Sequence, residues 1–417
     1  MTSVIDGSRF ARAAATRQAI VAAAAELFST RGYRFVSLRE IAERAGISHP
    51  ALLKHFADKE ELLAEVAKRF DRSLHGSPSG DGGLPFAAEA ARQAGVAGFV
   101  PFFAALTGEA STPSHPLHEW MRDRLAASIA SRAHDLGAAA GRAVDAERDT
   151  ARESVRLTAA WAGLRMLARY LGDGVDIVST LERHQELIAH PAGWSPRPDT
   201  PPPAAAAAVP ALPPLLDDEP PAPPAGYRTG RARRAKIVAD ATTLFAREGY
   251  GDTSLLDIAT RVGVSKSALY HHFASKDALL HAVLRERDHR IDVTTADAPT
   301  ATAADVLRSF ADGAAANERD QPGLIELYAV ISSEATVPEH AANAYFEHRF
   351  TRALDGFTRL FRSAADAGDL PPHRDPAQEA LWLLALWDGL QYLWLYDRHG
   401  VDVAAELRAH LEDVLPA

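Results

Sequence analysis

The sequence predicts an all-α protein built from two similar units in one chain, and three observations carry that reading. Apolar residues recur at helical spacing in the stretch Thr253–Val283, TSLLDIATRVGVSKSALYHHFASKDALLHAV, where Leu255, Ile258, Ala259 and Val262 fall on one face. Shifted back by 217 positions, the chain reads VSLREIAERAGISHPALLKHFADKEELLAEV, Val36–Val66. Between the two copies, 191–226 carries half of the chain's 26 prolines, a composition that denies the backbone its helical donors.

The second copy contains two short helices and the start of a third. Ser254 is an N-cap candidate with Asp257 three residues on, an approximate capping box. Gly263 supplies the turn, because glycine tolerates the left-handed conformation that ends a helix. Ser265 caps the next helix, Lys266 to Phe273, and Ser275 a third that begins at Lys276. A helix, a glycine turn and a second helix bearing Lys, Ser, Tyr and His outward is the pattern of a helix-turn-helix.

The repeat is not confined to that motif. Ile20, Val21, Leu27, Phe28, Gly32 and Tyr33 align with Ile237, Val238, Leu244, Phe245, Gly249 and Tyr250, and 25 of the 50 positions from Arg17 to Val66 are identical at that shift without a gap. Further on, SSEATVPEHAANAYFEHR mirrors TGEASTPSHPLHEWMRDR, and WDGLQYLWLYDRHGVDVAAEL mirrors WAGLRMLARYLGDGVDIVSTL. A period this long means duplicated domains, not a short-period solenoid. The boundaries read as an arm at 1–16, a first helix-turn-helix domain at 17–72, a helical region at 86–190 after the Ser/Gly/Pro break His75 to Pro85, and a linker at 191–226. The second helix-turn-helix domain follows at 227–290 and the second helical region at 300–415. Long helices are expected at about Ala151 to Leu171 and Val175 to Ala189. At ~3.1 Å per residue an extended, polyproline-like linker could reach about 100 Å.

The run Gly263, Val264, Ser265, Lys266, Leu269, Tyr270, Phe273, Lys276 resembles the DNA-binding domain of the TetR family of bacterial transcriptional regulators. The resemblance is strong in the two helix-turn-helix units and looser in the helical regions. It implies, for each unit, a helix-turn-helix DNA-binding domain followed by a helical ligand and dimerisation domain. Members usually pair through their last two helices in a four-helix bundle. With both halves in one chain, the resemblance implies an intramolecular pseudo-dimer in which 151–189 packs on 376–414, with further self-association open. Trp382, Trp387, Tyr392 and Trp394 would then sit between that seam and the core.

Composition agrees with a DNA partner once its distribution is considered. The chain carries a formal net charge of −10, yet 1–72 has 12 Lys/Arg against 9 Asp/Glu and 227–290 has 12 against 7. Two basic units on an acidic body suit phosphate contact, because local charge decides binding. The absence of cysteine excludes disulfide scaffolds and Cys-based zinc or nucleophile sites. No membrane-length apolar run or signal-peptide pattern occurs, and a cytoplasmic location is expected.

The exposed start of the second motif helix is what meets base edges in this motif. In the second copy that nominates Lys266, Ser267, Tyr270 and His271, with Ser265 as cap. The resemblance gives Tyr270 and Lys276 to phosphates and Ser254 to the backbone nearby. Arg231 and Arg233, in the basic arm YRTGRARRAK, suit phosphates or a minor groove. Leu255, Ile258, Leu269, Phe273 and Leu280 are structural. The first copy departs from the pattern: His49 and Pro50 replace Lys266 and Ser267, and Leu53 stands where Tyr is expected. Its candidate contacts are Ser37, Ser48, His49, Lys54, His55 and Lys59. It reads as a working reader with a different half-site rather than a degenerate copy, so the double-stranded operator is expected to be an imperfect palindrome.

The resemblance also implies a small apolar effector in the helical regions, with repression as the family habit. Phe99, Phe102, Phe103, Trp120 and Met121, or Tyr328, Phe346 and Trp387, could line a pocket, but aromatics at helical spacing are more often plain core, so no ligand residue is assigned. No cofactor and no metal are expected. His115, His118 and Glu119 do not follow a hydrolase order, and Pro116 interrupts their helix. No catalytic set stands out. The competing reading is a protein-interaction module whose readers have lost DNA affinity.

Overall fold

The computed structural model describes residues 2–74, 84–195, 210, 228–295, 302–320 and 322–416. Among these there are eighteen α-helices and no strand. The break at His75 to Pro85 and the linker at 191–226 lie outside the described residues, apart from 84, 85, 191–195 and 210.

The first reader is α1 (Thr2–Arg31), α2 (Leu38–Arg44), α3 (His49–Leu52) and α4 (Lys59–Leu74), and the second is α10 (Arg228–Asp252), α11 (Leu255–Val262), α12 (Lys266–His272) and α13 (Lys276–Thr295). Between them in sequence lies the first body, α5 (Phe86–Gly95), α6 (Phe99–Glu109), α7 (His118–Ala139), α8 (Thr150–Leu171) and α9 (Ile177–Leu187). The second body is α14 (Ala303–Asp320), α15 (Pro322–Glu334), α16 (Asn343–Ala367), α17 (Pro376–Tyr396) and α18 (Val403–Val414). The described parts of the two arms, 2–16 and 228–236, are helical: α1 starts at Thr2 and α10 at Arg228. The run ARAAATRQ that leads into the repeat holds good helix formers and no proline or glycine, so nothing stops the helix there. At the other end, Gly32 (φ 78°) follows the end of α1, and Gly249 (φ 78°), at the equivalent position, kinks α10 before its last residues.

The bodies meet through α8 on α17 and α6 on α15. Gly163 and Gly389, equivalent positions of the repeat, sit where backbones touch. A Cβ on Gly163 would lie 2.0 Å from the Ala385 carbonyl oxygen, and one on Gly389 would lie 1.7 Å from that of Ala159. Ala159 and Ala385 are themselves equivalent, so each glycine rests on the other half's alanine. The tyrosines repeat the relation: Tyr170 Oη donates to the Ser332 carbonyl, and Tyr396 Oη donates to that of Thr107 at 2.8 Å. Gly108 lies against Ser333, its own counterpart. Contacts in which i meets j′ and j meets i′ are what a two-fold axis produces.

At the far end of α8 and α17 the seam becomes ionic. Arg148 reaches Asp413 at 3.1 Å, Arg152 and Arg156 reach Glu406 at 2.8 and 3.1 Å, and Arg156 and His184 hold the buried Glu153 at 2.6 and 2.7 Å. These charges keep Glu153 ionised, well below the usual carboxylate range, although burial opposes them. Of the seam aromatics, Trp382 stacks on His184 of the first half at 3.8 Å, whereas Trp387 packs on Phe310 in its own body. Trp194, at the start of the linker, stacks on His190 and edges His373 of the second body.

A histidine stands at the junction of each reader with its body. His115 meets the Tyr33 ring edge-on at 5.9 Å, and His340 meets Tyr250 at 5.0 Å. Both accept a backbone N–H at Nδ1, from Leu117 and Ala342. Burial lowers His115 to about 3 and His340 to about 4.

Two predictions follow from these contacts. Gly163→Ala and Gly389→Ala each force a methyl into backbone and are expected to cost at least about 2 kcal/mol in urea unfolding, at the upper part of the overpacking range. The histidines are neutral in the fold and take up a proton only when unfolded once pH falls below ~6.5. Their stabilisation is therefore full above that value and declines by about 2 kcal/mol each by pH 5. His340→Gln is expected to flatten the pH 7 to 5 slope of unfolding free energy by that amount; an unchanged slope would show that His340 is protonated in the folded protein.

Candidate nucleic-acid interface

Each reader is built by the same local chemistry. Ser254 Oγ accepts from Asp257 N at 3.2 Å while Asp257 Oδ2 accepts from Ser254 N at 2.9 Å, and Ser37 and Glu40 do the same in the first copy at 3.2 and 2.8 Å. Such reciprocal caps satisfy two donors that a helix start leaves open. The hydrogen bonds from Ser37 lower the Glu40 carboxyl to about 2. Gly263 (φ 78°) and Gly46 (φ 69°) make the turn; added side chains there would meet nothing within 4 Å, so the requirement is purely one of backbone conformation. Ser265 and Ser48 then cap the second helix through Ala268 N and Ala51 N.

Ile258, Leu269, Phe273 and Leu280 are buried, and Leu255 is half-buried. Anchoring on Leu269 leaves Lys266, Ser267, Tyr270 and His271 exposed on α12. Tyr270 is 46% exposed, and Lys266 Nζ lies 5.8 Å from its ring centroid. In the first reader Leu53 occupies the same place and is likewise 42% exposed. There α3 ends after four residues, with Pro50 in its first turn. Ser48 and Lys54 are exposed, and His49 and His55 are half-buried.

The two motif lysines bond within their own readers. Lys276 Nζ donates to the carbonyls of Tyr250 at 2.7 Å and Thr253 at 2.9 Å and lies over the Tyr250 ring at 4.0 Å. Lys59 Nζ donates to the Arg34 carbonyl at 3.4 Å and lies over Tyr33 at 4.3 Å. Both hold the turn that enters the first motif helix, and neither joins the exposed residues of α12 or α3. Lys236 similarly donates to the Val262 carbonyl at 3.0 Å, closing α11. Arg231 and Arg233 are exposed on the first turns of α10. Arg234 lies over Phe273 at 4.8 Å, as its counterpart Arg17 lies over Phe56 at 4.3 Å.

The residue that sequence reasoning missed is Arg34. It leaves the first reader, donates from Nη1 to the Glu248 carbonyl at the end of α10 (2.5 Å), and pairs with Glu334 at 2.9 Å in a nearly buried site. Glu334 also accepts from Tyr250 N at 2.9 Å. Phe35 lies edge-on to His340 at 6.0 Å. The counterpart of Arg34 is Gly251, so the contact between readers runs one way only. The only linear signal is that Arg/Gly difference, and it does not say where the side chain goes.

The candidate hydrolase-like residues serve the fold. His118 Nδ1 bonds the Ala110 carbonyl, and Glu119 pairs with Arg122. Among the described residues no three metal-type ligands converge, and no helix is long and apolar enough to cross a membrane.

Residues 20–66 and 237–283 each match the family described as bacterial regulatory proteins, tetR family. The chain is 24% identical over 182 residues to the A-factor receptor protein of Streptomyces griseus, covering 43% of this chain and 62% of that protein. It is 41% identical over 64 residues to the HTH-type transcriptional repressor KstR2 of Rhodococcus jostii, covering 15% and 31%. The match thus spans less than two thirds of either relative. A TetR-family transcriptional regulator from Agrobacterium tumefaciens is similar in structure with 22% identity and a TM-score of 0.39, covering 45% of this chain and 99% of that one. The chain thus carries two TetR-family N-terminal domains in tandem, at the two places where the capped helix pairs stand.

Proposed function

We propose that the protein is a sequence-specific DNA-binding transcriptional regulator, an effector-responsive repressor that acts as an intramolecular pseudo-dimer. The observation that carries this reading is the pair of capped helix-turn-helix units, each presenting one helix whose outer face is free of core packing. In the second reader Lys266, Ser267, Tyr270 and His271 are the base and phosphate contacts, with Arg231 and Arg233 on flanking phosphates. Lys276 acts one step back, by holding the turn that presents Ser254. The first reader uses Ser37, Ser48, His49, Lys54 and His55, and Lys59 takes the same supporting place as Lys276. Because Leu53 offers no hydrogen bond where Tyr270 offers one, the two half-sites differ and the operator is an imperfect palindrome.

The reciprocal glycine and tyrosine contacts between the bodies support pairing within one chain, where the partner's effective concentration does not fall on dilution. The Arg34–Glu334 contact supports one fixed distance between readers. Effector binding would act by favouring one of two such distances. Similarity to KstR2, a transcriptional repressor, supports repression.

Selection of duplexes from a random library tests the reading. The full chain is expected to enrich an asymmetric two-part site at one spacing, with a steep loss of affinity as salt rises. A flat salt dependence would favour the protein-interaction reading. Tyr270→Ala is expected to weaken operator binding about tenfold or more; unchanged affinity would remove the second reader as the main anchor. Arg34→Gly copies the second reader's Gly251 and is expected to leave affinity for each half-site intact while admitting additional spacings. Retention of a single spacing would show that Arg34 does not set it.

A further inference from the structure

Around Trp161 the first body buries two guanidiniums, one of which has no hydrogen-bond or ion-pair partner among the described residues. Arg132 on α7 and Arg165 on α8 are 5% and 7% exposed. Their guanidinium carbons lie 4.5 and 5.6 Å from the Trp161 ring centroid. Arg132 donates to Thr158 Oγ1 at 3.2 Å and has Glu89 at 4.0 Å. Arg165 makes no hydrogen bond or ion pair among the described residues, and its Nε is buried without a partner. A third guanidinium, Arg124, is held by Asp71 at 2.9 Å. Asp135 also acts on Arg132, so Arg165 is the guanidinium of the three that has no ion pair. A ring face attracts a cation but does not replace the water that a buried N–H donor has lost.

The second body shows that the fold does not need this charge. There Arg132 is matched by Phe357 and Arg165 by Gln391, while Trp161 is matched by Trp387. Phe357, Phe310 and Trp387 pack as rings, with Phe310 at 5.0 and 5.6 Å from the other two. The Arg124–Asp71 pair, by contrast, recurs as Arg349–Asp288 at 3.1 Å, so it belongs to the common scaffold. Burial and the neighbouring guanidiniums lower Arg165 to about 9, and burial lowers Arg132 to about 10.

We propose that Arg165, with Arg132, receives the negatively charged group of a small organic anion, a carboxylate or a phosphate, and that only the first body does so. This rests on the reading of the bodies as effector domains and changes the expected effector from an apolar molecule to an anionic one. A planar guanidinium matches both anions with paired N–H donors, and the Trp161 ring beside both guanidiniums suits an apolar remainder.

The test uses the full chain without DNA. Phenylacetate, octanoate and inorganic phosphate are titrated by calorimetry and thermal shift, with phenylacetamide as the neutral control. At least one anion is expected to raise the melting temperature by several degrees and to bind once per chain, and the amide to do neither. Binding of phosphate alone would identify the free anion as sufficient; binding of the carboxylates would assign the organic class. Arg165→Gln, which copies the second body, is expected to lose at least about tenfold in anion affinity while melting no lower than the parent, because an unpaired buried charge has gone. Arg132→Phe repeats the test from the other side. The proposal is overturned if no anion binds, if the amide binds equally, if Arg165→Gln keeps its affinity, or if that variant melts lower without ligand. Operator binding is measured separately: a parent chain that binds anion but no DNA would overturn the regulator reading and leave the anion site standing.

Discussion

Two glycines set the distance at which the rest of the molecule is arranged. Because Gly163 and Gly389 carry no side chain, α8 and α17 approach until backbone rests on alanine backbone, and the repeat makes the contact reciprocal. Once that crossing is fixed, Tyr170 and Tyr396 reach carbonyls of the opposite half, and the ionic end of the seam falls into register. Close packing leaves little room for adjustment, so the seam acts as a rigid base. The readers pack on it through α1 on α6 and α10 on α15, with His115 and His340 at the junctions, both lowered by burial.

On that symmetric base the two halves have been given different contents. Tyr270 and Leu53 are exposed at the same place on the two second motif helices, one able to hydrogen-bond and the other not. Arg34 bridges the readers where Gly251 has nothing to extend. Arg132 and Arg165 charge a site that Phe357 and Gln391 leave without charge. In a dimer of identical chains each of these differences would be impossible. A fused duplicate permits them because the two positions are encoded separately.

The motif lysines show that a motif match fixes where a residue stands more firmly than what it touches. The resemblance gives Lys276 to phosphates. In the structure its ammonium is taken up by the Tyr250 and Thr253 carbonyls and the Tyr250 ring, and Lys59 repeats the arrangement. A flexible four-carbon stem reaches in either direction, and what decides between them is whether unsatisfied carbonyls lie nearby. That information belongs to the turn after Gly249, not to the lysine.

The sequence by itself determined the helices, their caps and the duplication. Ser254 with Asp257, Gly263 and Ser265 act over three or four residues, and the apolar spacing that buries Ile258 and Leu269 is equally local. The glycine pair was present in the repeated WAGL and WDGL runs, although nothing there says that two such glycines face each other. Only the tertiary structure decided that the arms continue as helix, that Lys276 turns inward, that Arg34 crosses to Glu334 and that Arg165 is buried without a counter-charge. Each depends on groups far apart in sequence, 214 positions in the case of Arg34 and Glu248. Local spacing fixes which face of a helix is apolar, whereas the partner of a long charged side chain is fixed by whatever the fold brings within its reach.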